Sequence, residues 1–425
     1  MNAPNGIAKP ESIKTSGLMK ILLSATFILL ILGWLMLFDT GLIFEGKANY
    51  AHYAGLIETR ALATAFGLGL LLLVWFLPLG NLRKYAPVVI LFAIVILAMV
   101  WSPWGLSKRG STRWVDLRFI SIQPLEFAKL AIVWFLAAAF TRIGPLRNAK
   151  LSQLVYPGLI FAIVMCMVVF QPNLSGAIFL ILAAFAMALI AQMNGRIALG
   201  MVLMAGGAFA GMMALHPDKL ERFLPVFSPL SKLDSSGYQV GMSLWAIVNG
   251  GWFGLGPSGS IAMYSLPDHS TDFIFSIICE EWGIIGGLAV IAIFCVAVFT
   301  AFKIGLSQRD PFRLMFGCGI ATILGLEVAI NIGVTLGILP TTGIPLPLLS
   351  AGGSNLIITL AEIGLLLNLA KKPEFIEQIP TIKIPEKDKK ESSAPRRKHI
   401  PLGRERTQFH REFSDYTEVR RRIAR

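Results

Sequence analysis

Long apolar segments dominate the chain, and short polar stretches separate them. Ten of these segments have about 18 or more largely apolar residues, enough to cross a bilayer as helices, since backbone polar groups in hydrocarbon must be paired within the segment. The third and fourth are short or polar at one end. The predicted spans are residues 17-38, 55-79, 86-102, 124-141, 153-170, 174-193, 197-216, 272-302, 312-339 and 347-370.

The short loops give these spans a direction. Lys and Arg recur in alternate loops, at residues 81-84, 141-150, 194-196 and 303-313. By the positive-inside rule these loops face the cytoplasm, and so do both termini. The longest loop, residues 216-271, then lies outside, between spans seven and eight.

This pattern predicts an all-α integral membrane protein with ten transmembrane helices. The expected domains are a cytoplasmic tail over residues 1-16, a membrane domain over 17-370 and a basic, disordered cytoplasmic tail over 371-425. The last tail has 16 Lys and Arg against 9 Asp and Glu, typical of disorder and of attraction to anionic lipid. Its aromatic residues are sparse, so a nucleic-acid partner is not expected.

Composition supports a membrane protein and excludes other classes. Hydrophobic residues are 55% of the 425 and charged residues 15%, more apolar than one water-soluble core requires. The four cysteines lie inside apolar runs without CxxC pairs or His neighbours, which argues against a disulfide framework or a zinc site. No set of metal ligands is legible.

The loop between spans three and four is basic although it is predicted to face outward. Its cations include Lys108, Arg109, Arg113 and Arg118. They could bind an anion, or they could pair with Asp116 and with lipid headgroups, and the loop alone leaves both interpretations open.

Ionisable residues also occur inside the predicted spans. Glu126 and Lys129 stand three residues apart on one helix face, and Glu280 and Glu281 interrupt span eight. Such residues are expensive in a membrane and usually mark a pathway or a site, although a buried structural ion pair also explains Glu126 and Lys129.

The long outer loop contains one further predicted element. Residues 238-248 have aromatic and apolar residues at helical spacing, which predicts an interfacial or re-entrant helix. Glycines follow at 250-251 and 254-259, and they are more typical of turns than of a phosphate cradle.

Several sequence blocks, taken in order, resemble the SEDS family (shape, elongation, division, sporulation). They are STRW, QPLEFAK, NGGWFGLGP, LPDHSTDFIFSIICEEWGIIG and NIGVTLGILPTTGIPLPLLSAGGSN, and the match runs over about residues 17-371. The resemblance, closest to the division branch, implies a ten-helix glycosyltransferase that polymerises lipid II, the undecaprenyl-diphosphate-linked disaccharide pentapeptide, into peptidoglycan. It also implies the bacterial inner membrane at the division septum, a class B penicillin-binding transpeptidase and other division proteins as partners, and suggests a divalent cation, Mg²⁺ or Mn²⁺.

The resemblance implies a general base at Asp272. This residue matches the family's catalytic aspartate, and a base must take the proton of the attacking sugar hydroxyl. From the residues alone an ordinary helix cap is the preferred interpretation, since Ser270, Thr271 and Asp272 are all good cap types.

Substrate contacts are expected from three matching blocks. Cations suit a departing diphosphate, and the small residues of the SAGGS block would face the central cavity, although they could also permit close helix packing. The expected substrate-binding residues are Arg109, Arg113, Arg118, Gln123, Glu126, Lys129, Ser350, Gly352, Gly353 and Ser354.

Glu280 and Glu281 are expected to be structural. At 1.5 Å rise per residue they lie roughly 12 to 14 Å deeper along span eight than Asp272, too far for a carboxylate pair. Glu280 is therefore assigned to a buried polar contact with another helix, and Glu327, Asn331 and Glu362 to the same interior network.

The chain departs from the family pattern at five positions: Leu125, Asn173, Met263, His269 and Ala351. Two other functions compete with polymerisation. One is a flippase or transporter for a lipid-linked precursor, and the other is a non-catalytic scaffold for a transpeptidase.

Overall fold

The structure is a computed structural model of the chain. It describes residues 15-43, 47-78, 82-108, 111-116, 121-215 and 236-371. Nearly all of both predicted tails lies outside these residues, as does the first part of the long loop before residue 236.

Helices make up most of the described residues. Ten of them overlap the ten predicted spans, and eight of these are long and apolar enough to cross a membrane, so the predicted count of ten spans is not confirmed. The other two, at predicted spans six and seven, are shorter apolar helices. The chain is thus a multi-pass membrane protein. The helices are α1 (Thr15–Ile43), α2 (Lys47–Phe76), α3 (Leu82–Ala98), α4 (Pro124–Ile143), α5 (Leu151–Phe170), α6 (Leu174–Ile190), α7 (Gly195–Leu215), α8 (Ser236–Gly250), α9 (Ile274–Leu306), α10 (Pro311–Thr335) and α11 (Gly353–Ala370).

Three helices occupy the centre of the bundle. Most of the spanning window is buried in α4 (72%), α10 (72%) and α11 (89%), against at most 44% in the other candidate spans. Helix α11 packs closely on α2, because Gly364 leaves the Leu71 carbonyl oxygen only 2.7 Å from where a Cβ would stand. A central helix touches protein on all sides, so its polar residues can be paired there.

The last predicted span begins too early. Residues 347-352 were expected to be helical, but α11 begins at Gly353 and the chain before it forms a loop. Pro345 and Pro347 supply no N–H and disfavour helix in the residues that precede them. Leu348 also has a φ of 64°, in the left-handed region. The loop therefore presents its carbonyl groups to other elements.

A small antiparallel sheet follows α3 and was not predicted. Strands β1 (Gly105–Lys108), β2 (Ser111–Asp116) and β3 (Ser121–Ile122) pair in the order β1-β2-β3. Val115 lies opposite Gly105 on one side and Ile122 on the other. Such short, partly charged strands give no clear alternation in the sequence.

Helix α9 is broken at Gly283, whose φ is 73°. The glycine-rich segment after α8 fits into this break: Leu255 N–H donates to the Glu280 carbonyl at 2.9 Å, and Gly256 N–H to that of Glu281 at 2.9 Å. A Cβ at Gly254 would stand 2.1 Å from the Glu281 carbonyl oxygen. These glycines therefore serve a backbone junction, as a turn function predicts. Helix α8 confirms a helix over residues 238-248, and its interfacial or re-entrant placement stays a prediction.

Candidate active site

Asp272 lies two residues before the first residue of α9. The cap position is Phe273, and it makes no side-chain hydrogen bond to the helix. The Oδ2 atom of Asp272 instead lies 3.4 Å from the place where a Cβ would stand on Gly343. Gly343 has a φ of 70°, which glycine adopts without the cost that a side chain would add. The carboxylate thus faces the loop before α11.

The main chain of Asp272 is fixed from two directions. Its N–H donates to the Asp268 carbonyl at 3.0 Å, within a turn that places Asp268 at a φ of 60°. Its carbonyl accepts from Asn331 Nδ2 on α10 at 2.9 Å, and the same nitrogen donates to the Ile344 carbonyl at 2.8 Å. A buried amide thereby ties the acid-bearing turn to the loop beside it.

Ser350 ties the same two segments together. Its hydroxyl donates to the Thr271 carbonyl and accepts from the Leu346 N–H at 2.7 Å. The next residue, Ala351, donates its N–H to the Ser270 carbonyl at 2.9 Å. Ser350 was expected to bind substrate, and in this conformation its hydroxyl organises the loop.

The start of α11 adjoins the start of α4. The Ser354 hydroxyl accepts from the Gln123 N–H at 3.0 Å and donates to the Ser121 carbonyl at 3.2 Å. Gly352 and Gly353 have only ordinary contacts, at 3.4 Å or more, around a built Cβ. These four expected residues thus lie in one region, and the substrate contacts themselves stay a prediction.

Lys129 lies in a buried charged cluster. Its Nζ is 2.8 Å from Glu126 Oε2 and also forms an ion pair with Glu327. Asn355 Nδ2 donates to the same Glu126 oxygen at 2.9 Å, and Glu362 contributes a third carboxylate nearby. All five side chains are buried. Assignment of Lys129 to the diphosphate stays a prediction, and it requires these ion pairs to open.

One face of α10 connects this cluster with Asp272. Glu327 pairs with Lys129, and Asn331, four residues later, bonds the Asp272 carbonyl. Residues four apart lie about one turn apart on the same face of a helix. Glu327, Asn331 and Glu362 are therefore contiguous with the turn that bears the candidate base. Glu280 was expected in the same network, but its carboxylate bonds to the segment around Asn249 and Ser260.

Arg113 extends from β2 toward the turn between α5 and α6. Its Nε donates to the Gln171 carbonyl at 3.4 Å, and one Nη donates to the Pro172 carbonyl. The side chain is half-buried. Arg109 and Arg118 lie outside the described residues.

Glu280 accepts hydrogen bonds from the segment that fits into the α9 break. Its carboxylate accepts from Asn249 Nδ2 at 3.0 Å, from the Ala262 N–H at 3.1 Å and from the Ser260 hydroxyl. It thus makes the kind of buried polar contact expected of it. Glu281 is buried beside the carboxyl group of Asp39 at the end of α1.

The departures from the family pattern have local roles. Asn173 accepts from the Gly176 N–H at 3.0 Å and so caps α6. Leu125 packs on Gly176, where a Cβ would come within 2.5 Å of a leucine methyl. Met263 is buried in the core, and Ala351 contributes its N–H. The His269 Nδ1 lies 3.1 Å from the Leu266 carbonyl oxygen.

Two of the buried polar residues that escaped the sequence reasoning bear on the site. Arg60 lies in α2 and Asn355 in α11. A signal for Arg60 was present, since an arginine inside a predicted span is costly enough to mark a functional position. Asn355 gave none, because a single amide is common near a helix start.

The expected divalent cation finds no prepared site in the described part of the chain. No group there of three or more His, Cys, Asp or Glu side chains could hold a metal ion. Mg²⁺ usually binds through one or two carboxylates together with substrate phosphates, so the divalent cation stays a prediction and we assign no step to it.

Comparison with known sequences gives a matching family model and relatives that carry the names of that family. Residues 20–374 match the model of a family described as "Cell cycle protein", FTSW_RODA_SPOVE. A protein of Thioalkalivibrio sp. (strain K90mix) named probable peptidoglycan glycosyltransferase FtsW is 33% identical, covering 89% of this chain and 92% of that one. Stage V sporulation protein E of Bacillus subtilis (strain 168) is 30% identical, covering 84% and 97%.

Solved structures with the same fold include two informative ones. A chain from a study of polymerization and crosslinking by a peptidoglycan synthase complex has a TM-score of 0.66 at 27% identity, covering 82% of this chain and 96% of that one. The rod shape determining protein RodA of Thermus thermophilus has a TM-score of 0.59 at 26% identity, covering 82% and 95%.

Proposed function

Since the chain belongs to the FtsW, RodA and SpoVE family of cell cycle proteins, we propose that Asp272 is the general base with which it extends glycan strands. The chain is a peptidoglycan glycosyltransferase of the membrane, as are its relatives by name. The proposed substrate is lipid II, and the proposed setting is the division septum, with both termini in the cytoplasm. The proposed partners are a class B penicillin-binding transpeptidase and other division proteins.

The observation that carries the proposed role of Asp272 is the position of its carboxylate beside the loop before α11. Its carboxylate faces Gly343 while its main chain is held by Asn331. A fixed main chain limits the positions of the carboxylate, and positioning of this kind lowers the entropic part of a barrier. A carboxylate near the start of α9 is also stabilised in its ionised, basic form by the helix dipole.

The reaction needs one base and charge for the leaving group. As the sugar hydroxyl oxygen bonds to the anomeric carbon, Asp272 takes the hydroxyl proton, and the bond from that carbon to the diphosphate oxygen breaks with its electron pair. Among the described residues, Arg113 is the one proposed to bind the departing diphosphate, since its planar guanidinium suits phosphate oxygens. To bind, it must exchange its bonds to the Gln171 and Pro172 carbonyls.

The test is polymerisation of lipid II by the purified protein, with and without the transpeptidase. We expect Asp272→Asn to abolish glycan formation, because the amide cannot accept the proton. Asp310→Asn is the matched control, since Asp310 caps α10 through the Arg313 N–H at 2.9 Å and asparagine caps equally well. Full activity of Asp272→Asn would refute the proposal, and inactivity of the wild type even with its partner would favour a scaffold. Movement of lipid II without any glycan product would instead favour a flippase.

A further inference from the structure

Arg60 is a buried arginine that pairs with no carboxylate among the described residues. It is 1% exposed, and in the described part of the chain it forms no ion pair. A buried unpaired charge is costly unless hydrogen bonds compensate it. Its guanidinium also lies 5.7 Å from the ring centroid of Trp34 on α1. The buried guanidinium of Arg60 thus costs free energy in α2, and its hydrogen-bond partners indicate its role.

The three hydrogen bonds that Arg60 makes to other described residues all go to consecutive carbonyls of the loop before α11. They accept at 2.8 Å for Leu348, 3.0 Å for Leu349 and 2.7 Å for Ser350. A planar fork of N–H groups can satisfy several acceptors in a fixed geometry, and a lysine cannot reproduce it. Because Arg60 holds three consecutive carbonyl groups, it fixes the backbone conformation of this loop and not only the position of one residue.

The part of the loop that Arg60 holds is strained. The Leu349 N–H donates to the Pro347 carbonyl at 2.8 Å across Leu348, which has a φ of 64°. This is a three-residue turn in its rare left-handed form. A leucine in the left-handed region costs free energy and persists only where its surroundings impose it. The guanidinium at the carbonyls of residues 348-350 is such a constraint.

The same loop continues directly to the turn that bears Asp272. Ser350 and Ala351 donate to the carbonyls of Thr271 and Ser270. Arg60, Ser270 and Ala351 also line one narrow pocket. Any change in the loop at residues 348-350 therefore reaches residues 270-272 through two hydrogen bonds.

We propose that Arg60 is a positioning residue for glycan polymerisation, holding the loop at residues 348-350 in the strained form that orients Asp272. This inference rests on the proposed role of Asp272. Because Arg60 acts through another residue, its loss changes turnover more than substrate binding.

The experiment compares Arg60→Lys with wild type in lipid II polymerisation, with rates expressed per folded molecule after size-exclusion chromatography. We expect kcat to fall by about 100-fold, the loss that a displacement of about 1 Å can cause, with KM changed less than about threefold. Arg142→Lys, the same substitution at an exposed position on α4, is the matched control and keeps wild-type kcat.

Hydrogen exchange supplies a readout independent of activity. In Arg60→Lys we expect faster exchange of the N–H groups of Ala351 and Asp272, which are hydrogen-bonded in the wild type, and unchanged exchange in the middle of α4. A merely structural Arg60 would lower the folded yield but leave both kcat per folded molecule and this local exchange as in wild type, and that result would overturn the proposal.

A second variant tests the relay if Arg60→Lys does not fold. Ser350→Ala removes the bond to the Thr271 carbonyl and is expected to give the same pattern, a lower kcat with faster exchange at Asp272. Wild-type kcat and exchange in Ser350→Ala would refute the relay. Activity of Asp272→Asn would instead refute the proposed function, so the two failures are distinguishable.

Discussion

Replacement of Lys129 by methionine tests the buried charged cluster most directly. Lys129 is 2% exposed and pairs with both Glu126 and Glu327, while Glu362 adds a third carboxylate. Methionine has a similar length but no charge, so the variant leaves three buried carboxylates without their cation. Removing one partner of a buried ion pair costs about 3 to 5 kcal/mol. We expect a loss of this size in the free energy of unfolding.

The assay is unfolding by sodium dodecyl sulfate titration in mixed micelles, followed by intrinsic fluorescence. The matched variant replaces Lys129 together with its two ion-pair partners, as Glu126→Gln, Lys129→Met and Glu327→Gln. It removes two of the three uncompensated carboxylates and leaves only that of Glu362, so most of the lost stability should return. Wild-type stability of Lys129→Met alone, or no recovery in the triple variant, would refute the reasoning.

The same triple variant separates the two roles suggested for Lys129. If Lys129 and Glu126 are both only structural, the folded triple variant polymerises lipid II at close to the wild-type rate. If Lys129 binds the diphosphate after its ion pairs open, the triple variant and a folded Lys129→Met single variant are both inactive, because methionine offers no positive charge. A single preparation thus distinguishes an ion-pair network from a substrate contact.

Two further predictions concern packing and buried hydrogen bonds. Glu280→Ala should lower the free energy of unfolding by a few kcal/mol, since each buried donor left without an acceptor costs about 1 to 3 kcal/mol. Glu281→Gln should lower it by less than half as much in the same titration. Equal losses in the two variants would contradict the assignment of the donors to Glu280. Gly364→Ala should destabilise the folded protein by about 1 to 3 kcal/mol, because its Cβ would stand 2.7 Å from the Leu71 carbonyl oxygen. Gly69→Ala, with open space around its Cβ, should be neutral or stabilising. Destabilisation by both substitutions would mean that the contact between α11 and α2 is not the cause.

The candidate site was predictable from sequence only in part. Asp272 was identified from a family block. Glu126 and Lys129 were identified because ionisable side chains inside a membrane span cost free energy and usually mark a functional position. Burial of Lys129 between two glutamates was not predicted, because Glu327 is 198 residues away along the chain. Local spacing reveals partners three or four residues apart, and no spacing rule links α4 to α10.

The sequence by itself determined the spanning helices. Hydrocarbon leaves the backbone no partner except its own segment, so a run of about 20 apolar residues must be helical wherever it packs. The same reasoning does not predict segments that are not continuous apolar helices. Such segments are the loop before Gly353, the three short strands and the break at Gly283. In these places the backbone groups bond to distant elements, so their conformation depends on what lies beside them.

Only the tertiary structure decided which polar groups meet. Arg60 bonds carbonyls more than 280 residues later in the chain, and Asn331 joins Asp272 to Ile344. An arginine in a span signals its cost but not the identity of its partner, because many acceptors could satisfy it equally well. The packing of α2 against α11 makes that choice, and with it the setting of the acid on which the proposed chemistry depends.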